Sequence, residues 1–226
     1  MHVLSPARST SGNRFRKERW RQFLTAFPDV AEMKVVDLGG TPESWLESPI
    51  RPARVVSINL EESGAELPGP WYEARAGDAC DPSCLGGETF DVVYSNSVIE
   101  HVGGHEQRKR FADVVHRAAD RHWIQTPNRW FPIEPHWMCP GFQFLPLPAR
   151  VLLSRYWPLG SFRAGSSCPA PVVVDDVLQI ELLSASQLGF YFPTSTILRE
   201  RVVGLPKSLI AVEGAVDQER QALVPR

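Results

Sequence analysis

Three side chains in this chain can move a proton near neutral pH. His101 follows the apolar run Phe90–Tyr94, and Glu134 and His136 lie further on among prolines. An imidazole titrates near pH 7, and a carboxylate can orient it. Glu134 and His136 are therefore predicted to act together as a base on a hydroxyl group of the substrate, the acceptor in the reaction. Each residue also has a structural interpretation: His101 bonded to backbone at a helix start, His136 packed within the loop, and Glu134 solvated.

A ligand-binding turn is predicted at residues 35–42, which read VVDLGGTP. A strand inside a parallel sheet is covered on both faces, so it is almost entirely apolar. Gly39 and Gly40 allow backbone to approach a ligand closely. Thr41 can cap a following helix that has Pro42 at its first position, and the N-terminus of that helix offers N–H groups to an anion. Turns of this kind also occur in purely structural loops.

The remaining apolar patterns predict alternating strands and helices. Helices are predicted at 13–27, 41–47, 105–119 and 184–192, and strands at 35–38, 54–60, 72–76, 90–94, 121–126, 196–203 and 207–212. In the first helix the apolar residues recur at helical spacing, and its basic residues are interpreted as a solvated face. The short link between the last two strands implies an antiparallel hairpin at the edge of a mostly parallel sheet. The length fits one domain with an insertion.

The insertion is predicted at 128–176, where the alternation stops. Eight prolines there are expected to prevent long regular elements. A loop this long is usually functional, so we predict an ordered lid over an apolar or amphipathic acceptor, with Arg150 and Arg155 facing an anionic headgroup or a membrane surface. Core packing explains its aromatic residues equally well. The predicted acceptor-binding residues are Asn128, Arg129, Trp130, Phe131 and Trp137.

The composition and charge of the chain argue against several classes of function. The formal net charge of −2 argues against a surface built for nucleic acid. Arginines interrupt any apolar run near Met1 and no stretch reaches the length of a membrane span, so a cytoplasmic protein with reduced cysteines is expected. Cys80 and Cys84 have no second pair at metal-ligand spacing, so no metal site is predicted.

Polar residues follow five of the predicted strands, at 37–41, 59–62, 77–79, 95–101 and 126–136. In open α/β sheets ligands bind beyond the carboxyl ends of the strands, so these residues are expected to converge. The first three groups suit a nucleoside ligand, with glycines near its tail and polar side chains near the ribose and base.

At these positions the chain resembles the class I S-adenosylmethionine-dependent methyltransferases, over roughly residues 35–128. Residues 37–41 (DLGGT) resemble the glycine-rich motif of that family, residues 77–79 (GDA) its adenine-side motif and residues 90–102 its fourth-strand motif. The resemblance implies an α/β Rossmann-like fold with a mostly parallel sheet, an antiparallel C-terminal edge pair, helices on both faces and the lid. It implies S-adenosyl-L-methionine as cofactor, bound by Asp37, Gly39, Gly40, Thr41, Asn59, Leu60, Asp78, Ala79, Ser95 and Asn96.

Three longer stretches resemble a bacterial branch of that family, some members of which resemble enzymes of glycan or glycolipid modification. They are GGTPESW at 39–45, QTPNRWFPIEPH at 125–136 and ERVVGLPKS at 200–208. The resemblance implies O-methylation of a small-molecule, glycan or glycolipid acceptor, with Glu134, His136 and His101 as catalytic candidates. Asn59 is neutral where the family has an acid, so Glu61 or Glu62 is an alternative ribose ligand.

Two other functions fit part of the sequence. A nicotinamide-dependent oxidoreductase shares the general fold, but the glycine turn lacks the spacing G-x-G-x-x-G. A catalytically silent module that binds a nucleoside cofactor would need the same turn and no base. Binding of S-adenosylhomocysteine or of NAD distinguishes a methyltransferase from the oxidoreductase. Turnover with candidate acceptors distinguishes a methyltransferase from the silent module.

Overall fold

The computed structural model of the chain describes residues 10–61, 64, 67–157, 159 and 170–215. These residues form the strands β1 (Lys34–Leu38), β2 (Arg54–Asn59), β3 (Tyr72–Ala76), β4 (Val92–Asn96), β5 (His122–Pro127), β6 (Ile133–Glu134), β7 (Cys139–Pro140), β8 (Thr196–Val202) and β9 (Leu205–Glu213). The helices are α1 (Thr10–Ala26), α2 (Pro42–Leu46), α3 (His105–Ala118), α4 (Leu147–Tyr156), α5 (Ala170–Leu178) and α6 (Ala185–Tyr191).

Seven of these strands form one sheet in the order β3-β2-β1-β4-β5-β9-β8. The first five are parallel to one another, whereas β9 is antiparallel to both β5 and β8. The sequence therefore predicted the sheet correctly, including the antiparallel pair formed by its C-terminal strands. Consecutive parallel strands end at the same edge of the sheet, so the polar residues after β1, β2, β4 and β5 share one rim.

Alternating residues of the strands pack into two cores, one on each face of the sheet. Val35 and Val92 point to the face covered by α1 and α2, and Val36 and Val93 point to the face covered by α3 and α6. On the first face the α1 side chain of Phe23 is completely buried. Helices on both faces of the sheet are therefore confirmed.

The expectation that prolines prevent long regular elements in the insertion does not hold, because two helices of nine and ten residues form there. The ten-residue helix α4 begins at Leu147 and has Pro148 in its first turn, and the nine-residue helix α5 has Pro171 as its second residue. A proline is tolerated there because the first N–H groups of a helix have no intrahelical partner. A third core, built around Trp137 and Phe142, joins the loop after β6 to the end of α5.

Strand β4 begins two residues later than predicted and extends into polar sequence. Ser95 and Asn96 continue the parallel pairing with β5, opposite Ile124 and Gln125. Hydrophobicity alone placed the strand at Phe90–Tyr94, because the backbone pairing of polar residues at its end leaves no apolar signal. No helix in the described part of the chain is long and apolar enough to cross a membrane.

Candidate functional site

The glycine turn after β1 is built around a buried carboxylate. Asp37 is 1% exposed, and its Oδ2 accepts a hydrogen bond of 2.6 Å from the indole N–H of Trp45. A Cβ atom on Gly40 would lie 1.7 Å from that Oδ2, and Gly39 has a φ of +81°, so both positions require glycine. Burial raises the pKa of Asp37 to about 7, although the Trp45 hydrogen bond opposes the rise. Its other oxygen, Oδ1, is buried with no hydrogen-bond partner in the described structure.

Asn59 holds the turn from the neighbouring strand. Its amide Nδ2 donates a hydrogen bond to the carbonyl of Gly40. This contact gives the neutral residue at the end of β2 a structural role that an acid could not fill, because a carboxylate has no hydrogen to donate. Thr41 is the N-cap residue of α2, as predicted, but its side chain makes no capping hydrogen bond.

A cavity of about 190 Å³ lies beside the turn, and α1 supplies part of its wall. Arg19 of α1 donates a hydrogen bond of 2.6 Å from Nη1 to Oδ1 of Asn96, and its Nη2 lies 3.3 Å from Oε2 of Glu200. The other lining residues are Arg16, Trp20, Asp37, Gly39, Gly40, Thr41, Ser44 and Tyr94. The interpretation of the basic residues of α1 as a solvated face is therefore wrong for Arg19, whose side chain is largely buried.

Four of the other predicted cofactor-binding residues, Ser95, Leu60, Asp78 and Ala79, are not among the residues that line this cavity. Ser95 is completely buried, and its hydroxyl donates to the carbonyl of Leu38, so it ties β4 to β1. Leu60 is mostly exposed after β2. Asp78 accepts a hydrogen bond of 2.8 Å from the backbone N–H of Cys80, and Ala79 packs against the core between them. Glu62, the second alternative ribose ligand, lies outside the described residues, whereas Glu61 is exposed.

The two residues predicted to act together on a hydroxyl are in contact. Nδ1 of His136 lies 2.7 Å from Oε1 of Glu134, and Oε2 of Glu134 accepts from the backbone N–H groups of His136 and Trp137 at 2.7 and 2.8 Å. Glu134 is 2% exposed. Three hydrogen bonds fix the carboxylate, which in turn fixes the orientation of the imidazole.

Glu100 joins this pair, a contribution that the sequence interpretation did not assign. Its Oε2 accepts a hydrogen bond of 2.9 Å from the hydroxyl of Thr126 at the end of β5, and its buried Oε1 has no partner in the described structure. The rings of His101 and His136 are 4.9 Å apart and nearly perpendicular. One ligand atom from each of Glu100, His101 and His136 lies within 4.8 Å of the others, so this trio also has the composition of a metal site.

The electrostatics of the trio follow from burial and mutual charge. Burial raises the pKa of Glu100. The pKa of His101 is lowered to about 4 by loss of hydration and by the nearby His136, although part of the His101 ring reaches solvent. Burial disfavours the charged form of His136, but the Glu134 hydrogen bond and the two carboxylates outweigh it and raise the pKa of His136.

The predicted acceptor-binding residues divide into two groups. Asn128 is used by the fold, because its Nδ2 donates to the carbonyl of Pro206 at 2.8 Å. Trp137 is buried against Phe142, with ring centroids 4.4 Å apart. Trp130 is 65% exposed and stacks on Phe144. Phe131 is half-buried, and Arg129 lines a second cavity of about 230 Å³ together with Glu134, Trp137, Gln143, Arg150 and residues of α5 and the segment after it.

The cysteines do not form a metal centre in the described part of the chain. Cys80, Cys84 and Cys139 are not in disulfides there, and Cys168 lies outside the described residues. Burial is the main cause of the raised pKa of Cys80, to about 12, and of Cys84, to about 11. Both thiols are therefore protonated at neutral pH and are poor metal ligands without a cation already present.

No protein-family model and no curated protein sequence matches the chain. Solved structures do. An O-methyltransferase family protein from Burkholderia thailandensis is 12% identical with a TM-score of 0.51, over 91% of this chain and 57% of that one. This chain therefore spans little more than half of that protein.

Two further structures contain S-adenosylhomocysteine. The N-terminal domain of EvdMO1, in the presence of D-fucose as well, is 16% identical with a TM-score of 0.53, over 89% of this chain and 83% of that one. Magnesium protoporphyrin IX methyltransferase from Synechocystis PCC 6803 is 12% identical with a TM-score of 0.52, over 93% and 90%. The chain thus has the fold of S-adenosylmethionine-dependent methyltransferases.

Proposed function

We propose that this protein is an S-adenosyl-L-methionine-dependent methyltransferase that methylates an oxygen atom of a small-molecule, glycan or glycolipid acceptor. The observation that carries the proposal is the cavity at the glycine turn, which lies at the carboxyl ends of the parallel strands and has charged groups on its wall. Proteins with S-adenosylhomocysteine bound share this fold.

The lining of the cavity fits the methionine end of the cofactor. The buried Oδ1 of Asp37 can accept a hydrogen bond from the cofactor ammonium group. Arg16 and Arg19 can bind its carboxylate, and the absent side chain of Gly40 lets the backbone come close. For the nucleoside end we retain Asn59, whose Oδ1 can accept a ribose hydroxyl while Nδ2 holds the turn, with Leu60, Asp78 and Ala79 beside the base.

In this reaction the protein aligns the acceptor with the cofactor, excludes water and assists removal of one proton from the acceptor. S-adenosylmethionine, when bound, supplies an electrophilic methyl group together with its leaving group. His136, oriented by Glu134, assists removal of the proton from the acceptor hydroxyl while that oxygen attacks the methyl carbon. His101, next to His136 at the same rim, completes the polar side of the site. Alignment of this kind can lower a barrier by about 7–11 kcal/mol.

The second cavity supports a polar, sugar-like acceptor. Glu134 forms part of its wall, so a ligand there would lie next to the carboxylate that orients His136. Arg129 and Arg150 offer hydrogen-bond donors around it. Gln143 offers its Oε1 as an acceptor, because its Nε2 already donates to the carbonyls of Arg129 and Phe131. The exposed Trp130 offers a flat aromatic face of the type on which sugar rings pack. The crystallisation of the EvdMO1 domain with D-fucose is consistent with a sugar acceptor on this fold.

The surface of the insertion supports a lipid-linked acceptor. Leu152 and Tyr156 on α4 and Leu178 at the end of α5 are each more than half exposed. Apolar side chains beside arginines can contact the interface of an anionic membrane. Sedimentation with vesicles of anionic phospholipid at low salt tests this part, and the absence of binding would remove the membrane contact from the proposal.

Two measurements test the proposal against its alternatives. Calorimetry with S-adenosylhomocysteine and with NAD should detect binding of the first only, whereas the opposite result would favour an oxidoreductase. Transfer of labelled methyl groups to a panel of monosaccharides, glycolipids and phenols should then identify an acceptor. Binding of S-adenosylhomocysteine without transfer to any acceptor of the panel would favour a silent binding module.

A further inference from the structure

We propose that Glu100, His101 and His136 form a binding site for one divalent transition-metal ion, with zinc, manganese or iron as the chemical class. The site is part of the proposed active site, and its effect on methyl transfer rests on the proposed function. Metal binding itself does not, because it depends only on the three side chains and their neighbours.

The ligand set is the first argument. Two imidazole nitrogens and one carboxylate oxygen lie within 4.8 Å of one another. Zinc bonds to such atoms at about 2.0–2.2 Å, so modest side-chain rotations bring all three onto one ion. Two histidines and one carboxylate on one side of an ion leave the remaining positions open, and imidazole favours zinc or iron over magnesium.

The state of Glu100 is the second argument. This side chain is completely buried, and its Oε1 has no hydrogen-bond partner in the described structure. A buried carboxylate oxygen without a partner is costly, since it has lost its hydration. A cation at this point would compensate the lost hydration directly.

The third argument is the set of groups that form hydrogen bonds with the proposed metal ligands. Glu134 accepts from Nδ1 of His136, which gives the neutral imidazole its lone pair on Nε2. Thr126 donates to the second oxygen of Glu100. Metal-binding histidines usually donate to a carboxylate or carbonyl in this way, and such partners set the orientation and basicity of the ligand.

The position of His101 gives the ion access to the site, and the bound ion would in turn affect the acceptor hydroxyl. His101 is an exposed residue, so an ion can enter from solvent without opening the core. If an acceptor hydroxyl bound an open position of the ion, its pKa would fall, and water would take its proton in place of His136, whose Nε2 would then bind the ion. The acceptor oxygen would form a bond to the methyl carbon as the bond from carbon to sulfur breaks, and the electron pair of that bond would stay on sulfur.

Metal binding can be measured without turnover. The full chain, stripped with a chelator and dialysed, is titrated with ZnCl₂ by calorimetry and with CoCl₂ by visible absorption. We expect one ion per chain and the absorption bands of a cobalt ion with nitrogen ligands. His101→Ala, a change at a partly exposed position, should abolish the bands, and Glu134→Gln should weaken zinc binding about 10- to 100-fold.

His116→Ala is the matched control, because His116 is an exposed histidine of α3 outside the trio. It should bind both ions as the unmodified chain does. Absence of a one-to-one zinc complex, or a cobalt spectrum that His101→Ala leaves unchanged, overturns the metal site. If methyl transfer persists in the metal-free protein and still requires His136, the proposed function stands and the role of the ion in the reaction fails. If the ion binds and no methyl transfer occurs, the metal site stands and the proposed function fails.

Discussion

Nη1 of Arg19 lies 2.6 Å from Oδ1 of Asn96, and this hydrogen bond joins the first helix to the end of β4. Because Arg19 also pairs with Glu200 on β8, three distant parts of the chain meet at one guanidinium group. The cavity beside the glycine turn is therefore closed on one side by α1, and the cofactor proposed for it would contact this helix.

Arg19→Ala should weaken binding of S-adenosylhomocysteine. A hydrogen bond to a charged group contributes about 1.5–3 kcal/mol, so we expect a rise in Kd of roughly 10- to 100-fold, measured by calorimetry. Arg21→Ala is the control, since Arg21 lies on the same helix and pairs with the exposed Glu18. Equal affinity in the two variants would show that α1 covers the cavity without contacting the cofactor.

Gly40→Ala should damage both stability and binding. The new Cβ atom would lie 1.7 Å from Oδ2 of Asp37, which is buried and bonded to Trp45. Overpacking of this kind costs about 1–3 kcal/mol or more, which urea denaturation can measure. Gly104→Ala is the control, because its Cβ would meet nothing within 4 Å. A Gly40→Ala protein as stable as this control would contradict the geometry of the turn.

Asp37 should make stability depend on pH. Folding raises its pKa from 3.8 to about 7, so the folded state holds the proton more tightly than the unfolded chain. The stability that this carboxyl group contributes is complete below about pH 4 and is lost as pH rises through 7. Asp37→Asn cannot titrate, so its free energy of unfolding should rise relative to the unmodified chain between pH 4 and 7, by up to about 4 kcal/mol.

Chemical denaturation at a series of pH values gives this comparison. A constant difference between the two proteins from pH 4 to 7 would mean that Asp37 titrates normally. The same carboxyl group should affect ligand binding, because an ionised Asp37 binds an ammonium group more strongly than a protonated one. The affinity for S-adenosylhomocysteine should therefore increase from pH 6 to pH 8, and the increase should be absent in Asp37→Asn.

His136→Ala and Glu134→Gln should each lower kcat while the affinity for S-adenosylhomocysteine stays the same. A positioned group that assists proton removal typically contributes about 10²- to 10⁴-fold. Glu134→Gln should have the smaller effect, since glutamine can still accept a hydrogen bond from the imidazole but carries no charge. His116→Ala should leave kcat unchanged. Full turnover in both site variants would exclude the pair from the reaction.

Much of the fold was predictable from local patterns. The apolar runs predicted all five parallel strands, and the short link Gly204–Pro206 predicted the antiparallel hairpin of β8 and β9. The helices of the insertion were missed because proline was interpreted as a breaker, whereas Pro148 and Pro171 lie in first turns. Whether a proline ends or begins a helix depends on the residues that follow it and on what they pack against.

The site was predictable only where the interacting residues lie close together in the sequence. The contact between Glu134 and His136, two residues apart, was expected from their spacing, and the requirement for glycine at position 40 from the turn. Glu100 and Arg19 were not assigned because their partners, Thr126 and Asn96, are 26 and 77 residues away along the chain. Such contacts depend on strand order and helix packing, which leave little trace in composition or spacing.

By itself, then, the amino-acid order determined the alternation of strands and helices and the glycine turn after the first strand, because periodicity and turn chemistry act over a few neighbouring residues. Only the tertiary structure decided which charged groups meet. Strand order placed the ends of β1, β4 and β5 at one rim, and packing of α1 and the insertion against that rim buried Asp37, Glu100 and Glu134 beside their partners. Burial is what distinguishes these carboxylates from solvated ones, and burial is a property of the assembled chain.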